Sequence, residues 1–135
     1  MANALYDKAR ESFLKGEIAW DANAIRAVLI DTAIYSVDLA VHQNYSDLSG
    51  VVGTESPVFA SKTTAAGVAD AADITFSSVP GPTTIEAIVI FKDTGLPSTD
   101  KLIAYIDTAT GLPITSTGSD IIVAWDAGAN RIFKL

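Results

Sequence analysis

The chain has no cysteine and only one histidine in 135 residues. Without thiols there is neither a disulfide framework nor a thiolate metal site. The lone His42 cannot furnish an imidazole metal cluster, and a triad would need Ser and Asp partners converging on it. No G-x-S-x-G elbow, phosphate-cradling glycine loop or D-x-[DN]-x-[DN]-G calcium loop occurs. Long hydrophobic runs are missing as well: uncharged stretches stop at about a dozen residues, where a membrane helix needs about 20. Basic residues are scarce, nine against sixteen acidic, for a net charge of −7. That balance argues against direct nucleic-acid binding, which needs clustered Lys and Arg, and favours a solvated acidic surface. The opening MANALYDKAR has no apolar core of a secretory signal. These absences predict no cofactor, no metal, no membrane partner and no enzyme.

What is present is apolar residue in short bursts: 49% of the chain, at a mean hydropathy of +0.32. Two accounts stand, apolar surface hidden against other subunits or simple enrichment in Ala and Val. The length suits one domain, read as an N-terminal helix or arm over 1–16 and a single β domain over 17–135.

The organising stretch runs from Ile85 to Trp125. It holds three strand-like runs, IEAIVIF, KLIAYI and DIIVAW, separated by turn chemistry. They read as strands of one antiparallel sheet. A strand is also expected over Ala24 to Ile30. Three of these strands lead into Asp-Thr, at Asp31, Asp93 and Asp107, where an Asp side chain can close an Asx-turn.

Ala2 to Lys15 is the strong helix candidate, with Asn3 as its cap and Gly16 as its stop. Leu5, Ala9 and Phe13 recur on one face, widened by Leu14. Such a helix can cover the sheet or reach out to a neighbouring subunit. Ser36 to Leu48, which carries His42, suits a short helix or an irregular crossing. The loop before Val58 and Phe59 leads into a strand that Pro57 would place at an edge. Gly67 to Asp73 reads as a small-residue turn. Ile74, Phe76 and Ser78 alternate inward on the next strand, and Pro80-Gly81-Pro82 breaks the sheet. Asp126 to Asn130 joins DIIVAW to RIFKL as a hairpin, with Ile121, Val123 and Trp125 on one face. A strand at the end of the chain is expected to be tied into the sheet. The fold class that follows is mainly β, an antiparallel sandwich or barrel-like domain with one N-terminal helix.

Asp70, Asp73, Asp93, Asp100, Asp107, Asp120 and Asp126 sit in or near turns and read as solvated turn residues. Trp20 and Trp125 could stack on sugar, which requires exposure, or pack in the core or an interface. The candidate interface residues are Leu5, Phe13, Leu14, Trp20, Trp125 and Phe133.

The segments 20–35, 67–79, 85–95, 102–115 and 125–135 together resemble a family of small virion proteins of tailed bacteriophages. LIAYIDTATGLP and the closing WDAGANRIFKL carry the likeness most specifically. The resemblance implies a virion structural protein made in the host cytoplasm and placed on the particle, the capsid surface first. It brings no catalytic residue with it. Its expected partners are the major capsid protein or other virion proteins, together with further copies of itself. A decoration or cement role is the leading expectation. A tail or neck component and a glycan-binding adhesion module are the alternatives.

Overall fold

The computed structural model describes residues 4–107, 112–125 and 131–134. Its centre is an antiparallel trio: β2 (Ile25–Ile30), β8 (Ala87–Lys92) and β9 (Lys101–Ile106). Outer partners extend it to a five-stranded sheet, with β1 (Ala4–Leu5) beside β9 and β3 (Val51–Val52) beside β2. All pairings in this sheet are antiparallel. Three smaller antiparallel groups complete the strands. One joins β4 (Thr63–Ala65), β5 (Val68–Asp70) and β12 (Phe133–Lys134). The others pair β6 (Ile74–Phe76) with β11 (Ile121–Val123), and β7 (Thr84–Ile85) with β10 (Ile114–Thr115). The architecture is therefore mainly β and sandwich-like, with one N-terminal helix, α1 (Asp7–Leu14).

The near-continuous apolar runs of β2, β8 and β9 follow from burial on both faces, where simple polar-apolar alternation has no place. On one face Ala27, Leu29, Ile88, Ile90 and Ile106 share a core with Ile74, Phe76, Ile121, Val123 and Phe133 of the smaller sheets. On the other, Val28, Ile30, Val89, Phe91 and Leu102 pack with Tyr6, Ala9 and Tyr35. A register shift after Ile90 makes β9 bulge, so Ile103 and the adjacent Ala104 both join the first core. A bulge lets one strand serve two layers without losing its ladder.

Several boundaries differ from the sequence reading. The helix starts at Asp7 rather than Ala2, because Ala4 and Leu5 pair with Tyr105 and Ala104 as an edge strand. Leu5 thus belongs to the sheet, and Asn3 lies outside the described residues. Ala9 and Ser12 are the buried residues of α1, whereas Leu14 is 89% exposed. At 100° per residue Leu14 sits well round the helix from Ala9. Gly16 does stop the helix, at φ 73°. Its N–H donates to the Phe13 carbonyl (3.2 Å) and that of Glu17 to the Ser12 carbonyl (2.8 Å), the paired bonds of a Schellman cap.

The run beginning at Ile85 is broken at Glu86, so Ile85 belongs to β7 and Ala87 opens β8. DIIVAW is not a third strand of the central sheet: β11 pairs with β6. Nor does it form a hairpin with RIFKL, since β12 pairs with β5; the intervening 126–130 lies outside the described residues. The small-residue segment after Ala65 contains a strand, β5. Ala66 and Gly67, both at positive φ, form the two-residue turn between β4 and β5. Two such residues match the twist of a tight hairpin. Val58 and Phe59 form no strand, although Ser56 and Phe59 donate to the Ala27 and Ile25 carbonyls beside β2. Ser78 is exposed at φ 49°, so the inward alternation ends at Phe76.

Candidate interaction surface

A run of aromatic rings ties the N-terminal helix to the smaller sheets. Phe13 lies 6.0 Å from Phe133, Phe133 5.2 Å from Trp20, Trp20 5.9 Å from Phe59, and Phe59 5.5 Å from Trp125. The Phe133–Trp20 and Trp20–Phe59 contacts are edge-to-face, the arrangement favoured by ring quadrupoles. Both indoles are satisfied internally: Trp20 donates to the Asp70 carbonyl (3.1 Å) and Trp125 to the Ala72 carbonyl (3.2 Å).

The upper end of this run opens as a cleft of about 200 Å³. Phe13, Trp20 and Phe133 floor it, and the β4–β5 hairpin walls it at Thr64, Gly67, Val68 and Ala69. Leu14, one residue beyond Phe13, projects into solvent. Three of the six candidate interface residues thus meet at one place, with Leu14 adjoining in sequence. The other two are structural: Leu5 is sealed in β1, and Trp125 is 7% exposed at the far end of the ring run. Trp20 is 4% exposed, so neither indole offers the open face that sugar stacking requires.

The acidic turn residues are engaged mostly with backbone. Asp31 accepts from the Ala33 N–H and Asp93 from that of Gly95, the expected Asx-turns. Asp100, buried, accepts from the Thr94 N–H (2.6 Å) and hydroxyl (2.7 Å). Asp120 takes the Ser78 N–H and Asp73 that of Trp125. Asp70 faces Arg131 at 3.9 Å. The turn expected after Asp107 falls on 108–111, and Asp126 on 126–130, both outside the described residues. Among the described residues no group of three His, Asp or Glu side chains could hold a metal ion.

A charged cluster forms around Arg26. Arg26 on β2 donates to Asp93 (2.7 Å) and to the Ser56 carbonyl (2.9 Å), with Glu55 at 4.0 Å. Burial, and then the neighbouring Asp93, push the Glu55 carboxyl above its usual range despite Arg26. A guanidinium clamped on carboxylate and carbonyl is a cross-brace between β2 and its flanking loops.

No family model and no curated protein matches this chain.

Sequence reasoning named the cleft's aromatics but not its walls, because Gly67 to Asp73 reads as a small-residue turn and the structure makes a strand of its first half. It also missed a polar chain that runs from the buried Tyr6 to the half-buried His42. The Tyr6 hydroxyl lies 3.0 Å from that of Tyr35, which lies 2.7 Å from Nδ1 of His42. A tyrosine closing a helix start carries no sequence signal for a partner 29 residues away.

Proposed function

We propose that this protein is a structural component of a tailed-bacteriophage virion, most simply a decoration protein that cements the capsid by protein–protein contact. The observation that carries the reading is the aromatic-floored cleft, whose Phe13 is followed in the chain by the exposed Leu14, taken with the resemblance of LIAYIDTATGLP and WDAGANRIFKL to phage virion proteins. An apolar recess and a projecting leucine are each suited to packing against another protein. Its partner on this reading is the major capsid protein. Copies arrayed on a symmetric shell, as oligomers of this chain, would multiply a modest contact through avidity. The acidic surface keeps the unassembled protein soluble.

The test is decoration of purified, undecorated heads by added protein, with occupancy read by electron cryomicroscopy. Wild type is expected to fill sites on the head. Leu14→Glu is expected to lower occupancy about tenfold or more while leaving the melting temperature unchanged, since an interface residue can carry over 1 kcal/mol. Density on the tail or neck alone would favour the alternative location. Binding to neither head nor tail would end the proposal.

A further inference from the structure

We propose that His42 is an acid-sensitive latch that holds the 35–48 crossing onto the start of α1. The inference is independent of the virion reading and rests on the direction in which one hydrogen-bond chain, buried at its tyrosine end, must run.

The crossing covers the second face of the central sheet. Tyr35 is buried there, with Val37, Leu39, Tyr45 and Leu48 packed against the same core. Its attachments to α1 are few: the Asp7 N–H donates to the Leu39 carbonyl (2.7 Å), and the Tyr6 and Tyr35 hydroxyls meet. The end of that polar chain is Nδ1 of His42, which also faces the Asp38 N–H at 3.3 Å. A backbone N–H can only donate, so Nδ1 is an acceptor and the neutral ring carries its proton on Nε2. The Tyr35 hydroxyl proton is then committed to His42. The Tyr35 oxygen must therefore accept from Tyr6, and the order is Tyr6 to Tyr35 to His42.

An imidazolium reverses that order. With a proton on Nδ1, the Asp38 N–H loses its acceptor and Tyr35 must accept where it had donated. The two tyrosine hydroxyls then share one hydrogen bond between them, and one of their two protons is left facing no acceptor among the described residues. Tyr6 is fully buried, and a buried donor without a partner is costly. Swinging the 35–42 part of the crossing outward lets the freed donors reach water, while Gln43, Tyr45 and Ser46 stay bonded to Leu102, Asp100 and Pro97. Carboxylates oppose this opening. Asp47, on the following 3₁₀ turn, interacts favourably with His42, and Asp38 sits on the same loop. Tyr105, on β9, faces both tyrosines and is neutral at these pH values. Asp47 is also held by the Gln43 and Asn44 N–H groups (2.8 and 3.0 Å).

The chain has a single histidine, so its imidazole ¹⁵N signals need no assignment. At about pH 7.5 they are expected to show the Nε2–H tautomer. Amide hydrogen exchange, corrected for intrinsic rates, is then followed from about pH 7.5 to about pH 5. Protection over residues 35–42 and the first turn of α1 is expected to fall about fivefold or more, while β8 and β9 hold. In His42→Gln, whose side-chain carbonyl still accepts but takes up no proton, the profile is expected to stay flat. Should that variant fail to fold, Tyr35→Phe, which breaks the chain at its middle, is expected to reduce the acid response to under about twofold. An Nδ1–H tautomer at neutral pH, a flat wild-type profile, or an undiminished acid response in the folded variant each overturns the latch.

Discussion

At the scale of single residues, Gly81 and Ser116 show how a turn is held. The Ser116 hydroxyl donates to the Pro80 carbonyl (2.6 Å) and accepts from the Thr83 N–H (3.2 Å), while its own N–H reaches the Thr83 carbonyl (2.9 Å). The turn lies so close that a Cβ on Gly81 would stand 2.1 Å from the Ser116 carbonyl oxygen. Gly81→Ala is therefore expected to cost about 2–4 kcal/mol by forcing backbone apart, read as a shift of the urea midpoint. A loss below half a kcal/mol, roughly that of an indifferent surface site, would show that the turn yields easily.

Asp47 supplies a second pH dependence, in acid. The Asn44 and Gln43 N–H groups hold its carboxyl below the ordinary aspartate value of 3.8. A depressed group contributes stability that is present at neutral pH and lost as pH falls through its folded value. Asp47→Asn is expected to melt below wild type at neutral pH. The gap should close in acid, once wild-type Asp47 is itself protonated. A gap that persists unchanged to pH 2 would mean that the ionised carboxylate is not what the turn needs.

At the scale of elements, the N-terminal segment is part of the fold. The sequence admitted two readings for residues 1–16, a cover for the sheet or an arm for a neighbour. In the structure β1 pairs with β9, and Tyr6 and Ala9 are fully buried against the second face. Deleting residues 1–15 removes an edge strand and uncovers that core. The expected outcome is loss of cooperative unfolding and binding of a hydrophobic dye, rather than a stable domain that merely binds particles less well. A truncated protein with a sharp transition near that of wild type would restore the arm.

For the molecule as a whole, the layers share residues in a way that couples them. Trp20 and Trp125 lie in one core cluster with both the central sheet and the smaller sheets. Both indoles are nearly sealed from water. Tryptophan emission is expected to be blue-shifted and weakly quenched by acrylamide. In urea it should shift red in a single transition coincident with loss of β-sheet circular dichroism. Strong quenching of the native protein would place an indole at the surface and reopen sugar stacking.

Local chemistry in the amino-acid order determined the strand runs, the Asx-turns at Asp31 and Asp93, and the stop at Gly16. Each depends on neighbours a few residues away, through side-chain period, a carboxylate beside an N–H, or a tolerated positive φ. Only the tertiary structure decided which strands pair, and it moved β11 and β12 to partners in the smaller sheets. It also drew Ala4 and Leu5 out of the helix, where a free edge of β9 offered them a ladder. Pairing depends on contacts between distant segments, and an apolar residue reads alike whichever core it enters. For the same reason Phe13, Trp20 and Phe133 were legible as apolar candidates, whereas their meeting in one cleft was not.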